Sequence, residues 1–140
     1  MGWLIYALLS AVFAALTAIL AKIGIKNIDS NLATAIRTVV ILFFAWGIVL
    51  VQGTYKQIPL ISKFSLLFLI LSALATGISW LFYFKALQVG NASQVAPIDK
   101  LSLAITVILA VLLLKEKVTL TIILGTLFMV AGALLVGFGK

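Results

Sequence analysis

The sequence predicts an all-α membrane protein with five transmembrane helices, on three observations. Of its 140 residues, 65% are hydrophobic and 9% charged, against about 45–50% and about 25% in an average soluble domain. A chain this short has too much surface for its volume to hide that apolar content, and too few charges to cover it. Second, the mean hydropathy of +1.36 is concentrated in five long apolar segments separated by short, turn-rich links. Third, those segments are apolar on every face rather than alternating, which argues against a transmembrane β-barrel.

A helix that crosses the hydrocarbon core needs about 20 mostly apolar residues. The first span runs from Trp3 to Ile25. No basic stretch precedes it, and a turn and a second span follow Lys22, so it reads as an uncleaved first helix rather than a signal peptide. The link Lys26-Asn27-Ile28-Asp29-Ser30-Asn31 offers Asp29, Ser30 or Asn31 as cap for the next helix. The second span, Leu32 to Val51, leads into the longest loop, Gln52 to Pro59. The third covers Phe64 to Leu87 and is stopped by glycine in Gly90-Asn91-Ala92-Ser93. The fourth runs from Gln94 to Leu114, and Lys115-Glu116-Lys117 separates it from the fifth, Leu120 to Phe138. Residues 1–140 thus form a single transmembrane domain with no stretch left over for a soluble one, and function belongs inside the membrane.

Composition narrows the chemistry. With no cysteine and no histidine, a disulfide scaffold and a His/Cys metal site are excluded. Paired acid–base or triad catalysis lacks its parts, and no glycine-rich nucleotide loop is present. The expectation is a protein that is not an enzyme and holds no cofactor. The net charge of +7 is spread singly along the chain, which fits flanks of spans beside anionic lipid headgroups and not nucleic acid.

An odd number of spans places the termini on opposite sides. Lys56, Lys63, Lys115 and Lys117 flank one side, and Lys22, Lys26, Lys85 and Lys140 the other. This four-against-four balance gives the positive-inside rule no direction. Such a chain inserts both ways and pairs antiparallel with itself, unless Arg37 and Lys100 count too, which puts the C-terminus in the cytoplasm.

Four charged residues lie inside or near the ends of spans on that second side: Arg37, Lys85, Asp99 and Lys100. Intramembrane charges cost a few kcal/mol and usually face a bundle interior or a wet cavity. Arg37 stands among Ala35, Ile36, Val39 and Val40 and is the strongest functional candidate. Asp99 is expected to pair with Arg37 or Lys85. Asp99 and Lys100 equally suit the first turn of a helix after Pro97, and Lys85 the headgroups by snorkelling. On the third span Ser72, Thr76, Ser79 and Tyr83 follow at spacings of four, three and four, one face of a helix, bordered by Gly77 and Trp80. A shorter stripe, Asp99, Ser102 and Thr106, marks the fourth. Hydroxyl stripes suit a cavity for a polar ligand or close helix contact. The small residues Ala7, Ala11, Ala14, Ala18 and Ala21 of the first span, and Gly125, Gly132, Ala133 and Gly137 of the fifth, read as packing surfaces.

A wider pattern runs through Tyr83-Phe84-Lys85-Ala86-Leu87, Ala92 to Pro97, Leu112-Leu113-Leu114-Lys115-Glu116-Lys117, Gly125 and Ala131-Gly132. In its order and intervals this half of the chain resembles the EamA-like family of the drug/metabolite transporter superfamily. There an aromatic-x-x-Ala-Leu ends the third helix, a proline enters the fourth, and a leucine-rich run ends in Glu before a glycine-containing fifth. The resemblance implies one half of a ten-helix inverted-repeat transporter, of the five-helix, single-repeat bacterial and archaeal type. Its missing half would come from a second copy, and rocking of the two would give alternating access. The charged layer is not part of the general family pattern. The first span also lacks the acidic residue that binds cations and protons in the small multidrug resistance proteins.

The expectation is therefore a secondary transporter or exporter of a small polar or amphipathic metabolite, working as an antiparallel homodimer in the inner (plasma) membrane. Its binding residues would be Arg37, Ser72, Thr76, Ser79, Trp80, Tyr83, Asp99 and Lys100. Their basic balance favours an anionic or zwitterionic solute. Two alternatives stand beside it: a non-transporting membrane subunit of a hetero-oligomer, and a lipid-carrier flippase.

Overall fold

The computed structural model describes residues 2–139. Helix α1 spans Gly2–Gly24, α2 Ser30–Gln52, α3 Lys63–Val89, α4 Ala92–Asp99, α5 Ser102–Leu114 and α6 Leu120–Phe138, and a 3₁₀ helix, Thr54–Leu60, joins α2 to α3. The described residues contain no strand. Among the described residues, five stretches are long and apolar enough to cross a membrane, α4 and α5 together making the fourth. The all-α reading with five spans holds.

Three helix starts are capped by a side chain. Of the three candidate caps for α2, Asp29 takes the role: its carboxylate accepts from the backbone N–H of Asn31 at 2.9 Å and of Leu32 at 3.1 Å, satisfying two otherwise unpaired donors. Ser62 does the same for α3, its hydroxyl accepting from Ser65 N at 3.0 Å, and the Thr119 side chain accepts from Ile122 N at the start of α6. The loop after α2 is more ordered than expected, since Thr54–Leu60 is helical with Pro59 inside it.

The fourth span differs from the continuous helix expected over residues 94–114. It is interrupted at Lys100 and Leu101. There the backbone switches to i→i−3 bonds: Lys100 N to Pro97 O, Leu101 N to Ile98 O and Leu103 N to Lys100 O, each 3.0 Å, and Ala104 N to Leu101 O at 3.1 Å. This is a tightened 3₁₀ stretch of the kind that marks joints in helices. Pro97 contributes by leaving the Ser93 carbonyl without its i+4 donor.

Among the described residues, two hold left-handed backbone. Gly53 closes α2 at φ 69°, and Lys115 closes α5 at φ 55°. At Gly53 a Cβ would meet no atom, so the glycine is there for its conformation alone. Gly53→Ala is expected to lower stability by about 1 kcal/mol, and Lys115→Gly to raise it by a similar or smaller amount. Unfolding of each variant in mixed micelles checks both signs.

The described residues form two compact units, one of residues 21–88 and the other running up to Leu20 and from Val89 onward. In the 21–88 unit the interior is small and lies at one end of its helices: Ala21, Ile25, Ser30, Ala33, Thr34, Phe84 and Leu87 are buried, with Phe84 1% and Leu87 0% exposed. In the other unit α6 packs along α4 and α5. Gly137 lies so close to Ile98 that a Cβ there would overlap the isoleucine side chain. Most other large apolar side chains are exposed, as suits helices whose solvent is lipid.

Candidate functional site

Arg37 lies seven residues beyond Ser30, the first residue of α2, about 10 Å along the helix axis. Its Cζ is 4.1 Å from the ring centroid of Phe84 and 6.0 Å from that of Trp80. Phe84 in turn holds Tyr83 edge-on at 5.5 Å and Trp80 at 6.5 Å. The guanidinium therefore sits on an aromatic shelf of α3 built on the one well-enclosed part of its unit. Ring quadrupoles attract its charge but offer no lone pairs, and its Nη1 is shielded from solvent without any hydrogen-bond partner. The hydroxyls nearest along α2 are committed elsewhere, Thr34 donating to Ser30 O at 2.8 Å and Thr38 to Thr34 O at 2.9 Å.

Polar contacts fasten the end of α3 beneath this shelf. Lys22 Nζ donates to Leu87 O at 2.5 Å, a cation on the negative end of a helix. Gln88 Nε2 donates to Ile28 O at 2.9 Å and Gln88 Oε1 accepts from Lys85 Nζ at 3.2 Å. Lys85 is exposed in this last turn.

The α3 stripe divides into two parts. Trp80 and Tyr83 are half-buried, while Ser72, Thr76 and Ser79 are exposed. Thr76 returns its proton to Ser72 O at 2.9 Å, as threonines in apolar helices commonly do. Its oxygen still presents lone pairs on the outer face, beside the hydroxyls of Ser72 and Ser79.

In the other unit, Asp99 and Lys100 sit where α4 gives way to the 3₁₀ joint. Lys100 Nζ is 3.3 Å from the Asp99 carboxylate, and their side chains are 55% and 35% exposed. Lys100, the next residue in the chain, is thus a partner the structure gives Asp99; a pair of neighbours needs no folding to form. Thr106 donates to Ser102 O at 2.8 Å, so the short α5 stripe is satisfied locally.

Two residues of the Arg37 site escaped sequence reasoning. Phe84 is an apolar residue in an apolar helix, and only its spacing of four from Trp80 hinted at a shared face. Lys22 reads as a headgroup flank and is instead a cap on another helix. A hollow of about 370 Å³ lies between α5 and α6, lined by Ala104, Val107, Val111, Thr126 and further apolar side chains such as Ile123, and another of about 480 Å³ lies beside Trp46, Tyr55 and Ile58; none of these site residues lines either. The first lacks the convergent polar groups a solute site needs, because the one hydroxyl, Thr126, donates to Ile122 O at 2.8 Å.

The profile of the EamA-like transporter family matches residues 1–138. A protein of a Sinorhizobium species described as an uncharacterized transporter in the cobO 3' region is 52% identical over 134 residues, covering 96% of this chain and 95% of its own length. An uncharacterized protein of Methanocaldococcus jannaschii is 32% identical over 106 residues, 69% of this chain and 77% of its own. No solved structure matches the chain.

Proposed function

The chain belongs to the EamA-like transporter family, and from that premise we propose that it is a secondary transporter of a small polar or amphipathic metabolite that works as an antiparallel pair of copies. Family membership and five apolar helices make it a multi-pass membrane transporter. The observation that carries the finer reading is the outward face of α3. Ser72, Thr76 and Ser79 lie exposed on a membrane-spanning helix, where lipid has nothing to offer a hydroxyl.

A second five-helix unit facing this surface would turn the stripe into the wall of a cavity, with Arg37, Trp80 and Tyr83 at its end. Inverted units place a site between them, and rocking about it exposes the site to each side in turn. The even distribution of flanking lysines supports insertion in both orientations. Asp99 and Lys100, at the 3₁₀ joint of the fourth span, would then act where a helix bends, as discontinuous helices do in other transporters.

The chain has no native cysteine, so single introduced thiols report topology cleanly. Gln57→Cys, in the exposed link after α2, and separately a cysteine appended after Lys140, are labelled in intact and permeabilised cells with an impermeant maleimide. Both sites are expected to be about half protected in intact cells. Complete protection of one and complete labelling of the other would overturn the antiparallel pair.

A further inference from the structure

We infer that the solute carries a carboxylate, and that Arg37 of this chain receives it on the aromatic shelf formed by Trp80 and Phe84. The inference rests on the transporter reading above and names the class of solute that its site would take.

Charge accounting comes first. The whole chain has three acidic side chains, Asp29, Asp99 and Glu116. Asp29 accepts two backbone N–H groups at the start of α2, and Asp99 is paired with Lys100. Glu116 lies between two lysines in the link before α6. Arg37 has no acid within its reach along α2, and no acid occurs in α3. The one acid of residues 21–88, Asp29, is taken up by the start of α2, so no carboxylate of this unit is left for Arg37.

The chemistry of the group then limits what its counter-ion is. A guanidinium presents five N–H donors in one plane, a fork that matches the two oxygens of a carboxylate. Contact with Phe84 at 4.1 Å and Trp80 at 6.0 Å uses the positive charge and gives the N–H donors no acceptor. The shielded, unpartnered Nη1 is the direct sign of this. A buried donor without an acceptor costs about 1–3 kcal/mol, and an incoming carboxylate removes that cost as it binds. The half-buried rings of Trp80 and Tyr83 give the rest of a small organic acid an apolar surface to lie on. A lysine would supply the charge but not the planar fork.

Lipid phosphate is the less suitable partner on depth. Headgroups lie at the ends of the spans, whereas Arg37 is about 10 Å along α2 from its first residue. Organic cations are opposed outright by a site whose nearest fixed charge is positive.

The test uses the fluorescence of Trp80 in a chain carrying Trp3→Phe and Trp46→Phe, held in nanodiscs of phosphatidylcholine. Acetate and benzoate are titrated against acetamide and benzamide, their neutral counterparts of nearly the same shape. A saturable change at least tenfold more sensitive to the acids than to the amides, lost in Arg37→Gln and weakened in Arg37→Lys, is expected. Equal responses to acid and amide, or an unchanged response in Arg37→Gln, would overturn the inference. So would a preference for inorganic phosphate over both acids.

Two further arms separate the sources of the oxyanion. If acid binding appears only in Asp99→Asn or Glu116→Gln, a carboxylate of the protein itself fills the site and the solute does not. If the acid response vanishes when phosphatidylglycerol is added to the nanodiscs, lipid phosphate occupies it; either result sinks the proposal. Absence of acid binding in a chain whose introduced thiols are half protected removes the carboxylate and leaves the antiparallel transporter standing.

Discussion

Replacing Arg37 by methionine is expected to raise the stability of the protein while ending its transport. A residue whose role is to hold the fold together behaves in the opposite way on the first count. In the present structure the guanidinium lies inside a span with Nη1 unpartnered, and its attractions are to Phe84 and Trp80. Placing an arginine deep in a membrane opposes insertion by a few kcal/mol, of which contact with aromatic faces returns about 0.5–2 kcal/mol. Methionine keeps a flexible apolar contact on Phe84 and removes the charge. The net gain is about 1–2 kcal/mol, measurable by unfolding in mixed micelles. Transport is measured as the charge movement that a jump in monocarboxylate concentration drives across a supported membrane, and in the variant it falls to that of protein-free lipid. A variant that is less stable than the parent and still transports would assign Arg37 to structure.

The second large effect is a cross-link that depends on position along α3. This helix runs from Lys63 to Val89, so Thr76 is its central residue. Two copies lying antiparallel across the membrane bring their Thr76 residues to the same level. Ser65 shares the stripe seven residues before Ser72 but lies eleven residues from the centre. Its two copies are then about 33 Å apart along the axis. With a short bis-maleimide in membranes, Thr76→Cys is expected to yield mostly covalent dimer and Ser65→Cys almost none. Linking at both positions would make the pair parallel. Linking at neither would turn the Ser72–Thr76–Ser79 face towards lipid and remove it from the interface.

The parts of the fold that were legible in sequence are those fixed by length and solvent. Twenty apolar residues between turn signals must cross a bilayer as a helix, because lipid leaves no other way to satisfy the backbone. The interruption at Lys100 and Leu101 was not legible. Pro97 announces a disturbance, but the backbone absorbs it three and four residues later, through a run of i→i−3 bonds to which many sequences have access. In the site, a lone arginine among valines and isoleucines is conspicuous, and hydroxyls at spacings of four and three define a face. The shelf beneath the arginine is not conspicuous, since Phe84 differs in nothing local from the other phenylalanines. Only the approach of α2 to α3 selects it. The same holds for Lys22, whose partner, the Leu87 carbonyl, is 65 residues away.

The small enclosed interior of residues 21–88 has a bearing on how such a chain changes over evolutionary time. A side chain that faces lipid must be apolar, but its outline is free, because hydrocarbon chains refit around any shape. A side chain such as Phe84 or Leu87, with almost no exposure, must keep both character and outline. Selection on form thus falls hardest on such enclosed positions, and drift is freer wherever a helix face meets lipid. Two relatives can diverge widely in spelling while the same few enclosed residues continue to set how α2 meets α3, and with it where the arginine stands.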